Sequence, residues 1–118
     1  MPLSPRQRYA QQVIDLYRRT PGASGFARRA DRCLAATLFD RQVPLEIVHA
    51  ALLLAAARRA QRPNGATPLA RIASLHYFLP IIDELLAAQP DPGYIRYLRQ
   101  SLATIAPDLV NAIDHQFP

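Results

Sequence analysis

The chain of 118 residues contains no lysine and no tryptophan, a single cysteine and only four glycines. One cysteine excludes a disulfide within the chain, and with it the disulfide-rich secreted domains. The few glycines form no phosphate-binding loop, and there is neither a Walker motif nor a GxSxG nucleophile elbow. No segment reaches the roughly 18 consecutive apolar residues of a membrane span, and the N-terminal MPLSPRQRYAQQ lacks the apolar core of a secretory signal. We therefore expect a cytoplasmic protein without a membrane segment.

Residues that could carry chemistry are scattered along the chain. His49, His76 and His115 fall on three different predicted helices, and no pair has the spacing of metal ligands. Asp83 and Glu84 are adjacent, but neighbours on a helix point about 100° apart, so these carboxylates are expected on a solvated face. The sequence therefore predicts a protein that is not an enzyme, with no catalytic residues, no cofactor and no metal.

The composition and the positions of proline, glycine and capping residues both favour helices. Half of the residues are apolar, alanine and leucine dominate, and no stretch alternates apolar and polar residues as a strand would. Proline, glycine and capping residues divide the chain into segments of helical length. The sequence predicts an all-α fold, a compact bundle of five to six helices that forms one domain over residues 1–118. The expected helices are 5–19, 25–41, 44–60, one or two within 68–88, 92–105 and 107–114.

Three capping residues are predicted: Ser4 for the first helix, Ser24 for the second and Asp91 for the fifth. Pro80 leaves two arrangements open. Either helices at 68–78 and 80–88 are separate, or Ser74 caps one helix that Pro80 kinks. We favour Ser74 as the cap, because the apolar residues then follow one stripe from residue 75 to residue 86.

The second predicted helix has an apolar stripe and a basic side. Its stripe is expected to consist of Phe26, Ala30, Cys33, Leu34, Thr37 and Leu38. Cys33 is therefore expected as a small buried thiol, since no neighbouring motif suggests an activating base. Arg28 and Arg32 lie one turn apart on the opposite side, with Arg29 beside them.

The segment VPLEIVHAALLLAAARRAQR could be the recognition helix of a helix-turn-helix or a buried strut. A recognition helix shows polar side chains to base edges from its first two turns, and this one offers only Glu46 and His49. A helix that is apolar on nearly every side is buried, so we favour the strut. Arg58, Arg59 and Arg62 emerge at its end, where they could contact phosphates without reading bases.

The positive charge is concentrated in the first half. Residues 1–62 carry a net charge of +7 and residues 63–118 a net charge of −2, and all fourteen basic residues are arginine. The codon preference of a GC-rich genome is one explanation for the arginines. The other is phosphate binding, because guanidinium groups grip phosphate oxygens in pairs. The asymmetry predicts a polyanion at one side of the molecule.

Two groups of residues form the predicted interface. If the second and third helices run antiparallel, as their short connection suggests, the arginines at the start of one lie beside those at the end of the other. Only Asp31 lies close, so this patch is expected to be largely uncompensated. The segment GYIRYLRQ adds tyrosines beside arginine that could stack on bases or could simply pack with their hydroxyls in water. The predicted nucleic-acid-binding residues are Arg28, Arg29, Arg32, Arg58, Arg59, Arg62, Tyr94, Tyr97 and Arg99.

The segment SLHYFLPIIDEL resembles the C-terminal helical domain of the DnaD family of bacterial and phage replication-initiation proteins. That family has a Tyr-x-x-x-Ile-x-x-x-Trp helix, usually preceded by Ser-Leu. Tyr77, Ile81 and Leu85 take these three positions, with leucine in place of tryptophan and Pro80 inside the motif. The similarity extends over residues 9–86. It implies single-stranded DNA binding and contact with a replication or mobile-element protein.

The sequence therefore predicts a small nucleic-acid-binding accessory protein that contacts phosphates, in replication or in a mobile genetic element. The alternative is a protein-interaction module or adaptor whose arginines serve solubility or an acidic partner. Arginines clustered on one surface favour nucleic acid, and scattered arginines favour the alternative. DNA or RNA, sequence preference, oligomeric state and the protein partner stay open.

Overall fold

The structure is a computed structural model that describes residues 2–23, 25–62, 65–104 and 106–116, with residues 112–116 described as backbone only. Over these ranges the chain is an all-α single domain without strands, as predicted. An isolated backbone bridge joins Ala23 to Ile72. The helices are α1 (Pro5–Arg19), α2 (Arg29–Asp40), α3 (Leu45–Ala60), α4 (Leu79–Ala88), α5 (Pro92–Leu102) and α6 (Pro107–Gln116), with a 3-10 turn at Leu75–Phe78 before α4. Within the described ranges, no helix combines the length and the apolar character needed to cross a membrane.

Helix α3 is the central strut of the bundle, which confirms the prediction of a buried helix. It packs against α1, α4, α5 and α6, and every residue from Val48 to Ala56 is buried. His49 is also buried, and its Nε2 lies 2.8 Å from the carbonyl oxygen of Leu109, to which it donates. The charged side chains of α3 accordingly lie near its two ends, Glu46 at the start and Arg58 and Arg59 in the last turn.

Two of the predicted caps are confirmed. The Ser4 hydroxyl accepts from the Gln7 backbone N–H at 3.1 Å, and the Gln7 side chain accepts from the Ser4 N–H at 2.9 Å, which forms a capping box. Asp91 Oδ1 accepts from the Tyr94 N–H at 2.9 Å at the start of α5. Ser24, the predicted cap of the second helix, lies outside the described residues.

The predicted stripe of the second helix is only partly right, because Leu34 and Leu38 are buried but Ala30 and Thr37 are exposed. α2 begins at Arg29 rather than at residue 25, Phe26 precedes it and is 61% exposed, and Cys33 is exposed. Cys33 is therefore not the buried thiol expected from the sequence. The face that α2 buries consists of Asp31, Leu34, Ala35 and Leu38. The sequence interpretation did not include Asp31 in the stripe, although residues 31, 34, 35 and 38 have the spacing of one helical face.

Asp31 is buried because three donors satisfy its carboxylate. Oδ2 accepts from the Arg28 N–H at 2.9 Å, and Oδ1 accepts from the Leu75 N–H at 2.9 Å and from the Ser74 hydroxyl at 3.1 Å. Burial alone would raise the pKa of Asp31, but these hydrogen bonds together outweigh it and lower the pKa below its usual value. The carboxylate thus fastens the start of α2 to the 3-10 turn.

The structure replaces both arrangements proposed around Pro80. Ser74 is a cap, as expected, and its hydroxyl accepts from the His76 N–H at 3.1 Å. It begins a 3-10 turn that is followed directly by α4, and Pro80 lies in the first turn of α4, where the missing N–H has no helical acceptor to lose. Residues 66–74 are not helical, so the less favoured alternative, a separate helix over residues 68–78, is wrong.

Candidate functional site

One end of the bundle is built from two neighbouring chain segments. The loop after α1 and the segment before the 3-10 turn run side by side, and the Ile72 N–H donates to the Gly22 carbonyl oxygen at 2.7 Å. Gly22 has a φ of +89°, and a Cβ at this position would lie 3.0 Å from Nη2 of Arg59. The backbone conformation favours glycine here, and a Cβ would in addition displace the Arg59 guanidinium by a few tenths of an ångström.

The arginines at the end of α3 are held at this end by backbone carbonyls. Arg59 Nη2 donates to the Ala70 carbonyl oxygen at 3.0 Å, and its guanidinium carbon lies 5.9 Å from the centroid of the Tyr77 ring. Arg62 donates to the carbonyl oxygen of Thr67. A carbonyl oxygen orients a guanidinium without cancelling its charge, so both arginines remain cationic contacts with fixed positions.

Helices α1 and α2 contribute further arginines to the same end. Arg18 Nε donates to the Gly25 carbonyl oxygen at 3.0 Å, within the α1–α2 loop. Arg18 and Arg32 also line a shallow cavity of about 260 Å³ between α1 and α2. Arg28 and Arg29 are exposed where α2 begins. We call this surface the arginine end and define it as Arg18, Arg28, Arg29, Arg32, Arg59, Arg62 and Arg71.

The arginine end carries little compensating negative charge. Over the described part of the chain, none of its seven members forms an ion pair with a carboxylate. Asp31 is close but buried, and its oxygens are occupied by backbone and hydroxyl donors. Asp15 lines the cavity beside Arg18, but its ion pair is with Arg19, at 3.1 Å. The surface is therefore strongly cationic.

Arg58 departs from the predicted uncompensated patch. Its guanidinium donates to both carboxylate oxygens of Glu84, at 3.0 and 2.6 Å. These hydrogen bonds lower the pKa of Glu84. Glu84 lies 26 residues further along the chain, on α4, so no local pattern reveals the pair. Arg58 is consequently neutralised and is not a member of the arginine end.

The predicted packing that should unite the two arginine groups is also wrong. α2 lies along α1 rather than along α3. The start of α2 and the end of α3 nevertheless meet at one end of the bundle, because both contact the 3-10 turn. Asp31 binds the turn from α2 through Leu75, and Arg59 reaches it from α3 at Tyr77.

The α5 residues do not form the aromatic-basic cluster suggested by the sequence. Tyr97 and Arg99 point about 200° apart on a helix of 3.6 residues per turn. Tyr94 and Tyr97 are 40% and 59% exposed, whereas Arg99 is partly buried and lines a groove between α3 and α5. Leu98, between them, faces the core. Arg99 thus lies on a different side of α5 from Tyr94 and Tyr97, which are one helical turn apart and both exposed.

Sequence reasoning missed Arg18, Arg71 and Tyr77 at the arginine end. Arg18 carried a usable signal, since it lies in the last turn of the first predicted helix, next to the loop that leads to Arg28. Arg71 and Tyr77 had none, because the pairing of their segment with the α1–α2 loop is a tertiary contact.

The histidines and acids show no metal-binding arrangement where the chain is described: no three of its His, Cys, Asp and Glu residues gather as ligands would. His76 Nδ1 lies 2.9 Å from the Ser74 hydroxyl. The side chain of His115 is outside the described residues.

Comparison of the chain with protein-family models, with curated proteins and with solved structures finds no match.

Proposed function

We propose that the protein is a nucleic-acid-binding accessory protein that grips phosphate groups with the arginine end. The observation that carries this proposal is the gathering of seven arginines, without carboxylate partners among the described residues, on two paired segments and the helix ends beside them. Guanidinium groups match phosphate oxygens in pairs and keep their charge at any physiological pH. The resemblance to the DnaD domain adds replication or a mobile element as the setting of this activity.

Phosphate contact rather than base reading follows from which side chains the surface offers. Arg59 and Arg62 are oriented by carbonyl oxygens. The helix that resembles a recognition helix in sequence, α3, is buried along most of its length and cannot enter a groove of DNA. Contacts to phosphates position a nucleic acid but carry no sequence information. We therefore propose binding that depends weakly on sequence and strongly on salt.

The test is fluorescence anisotropy with labelled single-stranded DNA, duplex DNA and RNA at about 50 and 200 mM salt. Neutralising four to six phosphates implies a log–log slope of about −3 to −5, at roughly 0.7–0.9 per contact. The variant in which Arg28, Arg29 and Arg32 are all alanine should lose about two to three units of slope and bind all sequences more weakly.

The chain offers a matched control at the opposite end of α2. Replacing Arg6, Arg8 and Arg41 by alanine removes the same charge, and Arg6 and Arg41 are paired with Asp40 and Asp83. This control variant should retain most of the salt slope. Equal losses in the two variants would show only a general attraction to positive charge. No binding at moderate salt by the unmodified protein would favour the alternative, a protein-interaction module.

A further inference from the structure

A second surface, separate from the arginine end, has the character of a peptide groove. It lies between the start of α3 and α5 and has a volume of about 410 Å³. A second cavity of about 280 Å³ continues it toward α6, and Arg96 and Arg99 line both. Pockets of this size accommodate ligand-sized apolar groups. The residues of the first cavity are Pro44, Glu46, Ile47, Pro90, Pro92, Ile95, Arg96 and Arg99.

The floor of this groove is apolar and poor in hydrogen-bond donors. Ile47 and Ile95 are half-buried against the core, and three prolines line the remainder. Proline has no N–H and a fixed φ, so this floor is rigid and offers little to a phosphate backbone or to an extended strand that seeks backbone pairing. Its contact with an occupant must come from apolar side chains.

The walls of the groove carry charge of opposite sign. Arg96 and Arg99 lie one helical turn apart on α5, and Glu46 lies in the first turn of α3. Arg96 is exposed and forms no ion pair with another described residue. The two guanidinium groups outnumber the one carboxylate of Glu46, so beside an apolar floor they match a segment whose apolar residues are flanked by carboxylates.

We propose that this groove binds an acidic amphipathic segment of a partner protein, with its apolar side chains on Ile47 and Ile95 and its carboxylates on Arg96 and Arg99. Nucleic acid does not suit an apolar floor built from isoleucine and proline. A two-fold contact between two copies of this groove does not suit the shape, because two concave surfaces would face each other and leave both floors uncovered. The protein would then join a nucleic acid at one end to an acidic protein segment at another surface.

The test uses three labelled synthetic peptides and the full chain. ELLEELLEELLEEL combines carboxylates with an apolar face, ESSEESSEESSEES keeps the carboxylates only, and KLLKKLLKKLLKKL keeps the apolar face with the opposite charge. Fluorescence anisotropy should show binding of the first peptide alone. Arg96→Glu should weaken it by about tenfold or more, because an exposed attractive charge becomes a repulsive one. Ile47→Ser should also weaken binding of the first peptide, because it removes an apolar side chain from the floor of the groove.

Two controls separate this site from the arginine end. Arg8→Glu makes the same charge change on α1 and should leave peptide affinity unchanged, as should the triple alanine variant of Arg28, Arg29 and Arg32. In the proposed function that triple variant binds nucleic acid more weakly, so the two proposals fail independently.

The groove proposal is overturned if Arg96→Glu binds the first peptide as the unmodified protein does, or if the serine peptide binds equally well. Self-association that depends on Arg96, seen by sedimentation, would overturn it in favour of a second copy. Circular dichroism of each variant verifies that the helices are intact.

Discussion

Asp31 accepts a hydrogen bond from the backbone N–H of Leu75 at 2.9 Å, although the two residues are 44 positions apart in the chain. The same carboxylate accepts from the N–H of Arg28, the residue before α2. One buried side chain therefore sets both where α2 begins and where the 3-10 turn docks. The arginine end depends on this contact, because it holds the two segments that carry the arginines.

Removing the Asp31 carboxylate should destabilise the fold. Asp31→Ala leaves the buried N–H of Leu75 and the part-buried N–H of Arg28 without their acceptor, which costs about 1–3 kcal/mol in the free energy of unfolding. Asp31→Asn should cost less, because its amide oxygen can still accept. Urea unfolding measures both, and Glu46→Ala, an exposed change, should stay within about 0.5 kcal/mol of the unmodified protein. Equal stability of Asp31→Ala and Glu46→Ala would contradict the anchoring role.

The contribution of Asp31 should also depend on pH. Its pKa is lowered in the folded state, so the unfolded chain takes up the proton first as the solution is acidified. The stabilisation is complete above the unfolded pKa of about 3.9 and is lost as the pH falls through the lower folded value. The stability difference between the unmodified protein and Asp31→Asn should therefore be constant from pH 7 to about pH 5 and shrink below about pH 4. A difference that grows on acidification would contradict this sign.

The helices were predictable from the sequence because their signals are local. Ser4 and Asp91 form the caps that their positions indicate, and α3 is buried because it lacks a polar face. The buried face of α2 was predicted wrongly because charged residues were assumed to be exposed. Asp31 is nevertheless buried, since Ser74 and Leu75 supply hydrogen-bond donors from a distant segment of the chain. The error at Cys33 follows directly from the wrong choice of buried face.

The core role of α3 can be tested with a matched pair of leucines. Leu52 is fully buried on α3 and Leu69 is 42% exposed in the segment before the 3-10 turn. Leu52→Ala removes buried methyl groups and leaves a cavity, so it should cost roughly 2–5 kcal/mol. Leu69→Ala should change the free energy of unfolding by about 0.5 kcal/mol or less. Similar effects of the two substitutions would contradict the central position of α3.

The candidate site was partly predictable for a comparable reason. The sequence places Arg28, Arg29 and Arg32 on one helix, and the structure keeps them exposed together. The partners of the arginines on α3 come from other elements, Glu84 for Arg58 and Ala70 for Arg59, and such tertiary pairs leave no local pattern. The sequence thus shows which residues are arginines, but it does not show which of them, such as Arg58, are neutralised by a carboxylate from another helix.

The exposure of Cys33 predicts its reactivity. Because the thiol lies on the solvent side of α2, the folded protein should react with Ellman's reagent at a rate close to that of the unfolded chain. Cys33→Ser should leave the free energy of unfolding within about 0.5 kcal/mol, as expected of an exposed site. If the thiol reacted only on unfolding, Cys33 would be buried, as the sequence predicted, and the exposed position would be wrong.

The ion pair between Arg58 and Glu84 predicts a gain of function. Both side chains are about half exposed, so breaking the pair should cost about 1 kcal/mol or less in stability. Glu84→Gln leaves Arg58 without its neutralising carboxylate beside Arg59 of the arginine end, and the guanidinium becomes available to a phosphate. Nucleic-acid affinity should then rise, and the log–log salt slope should steepen by about 0.7–0.9.

The matched control for Glu84→Gln is Asp40→Asn. It removes the same negative charge and releases Arg6 from an ion pair of 2.9 Å at the opposite end of α2. Asp40→Asn changes the net charge equally but frees an arginine far from the arginine end, so its salt slope should not change. Anisotropy titrations over the same salt range compare the two variants. If both steepen the slope alike, net charge alone governs binding and the location of the interface at the arginine end is wrong.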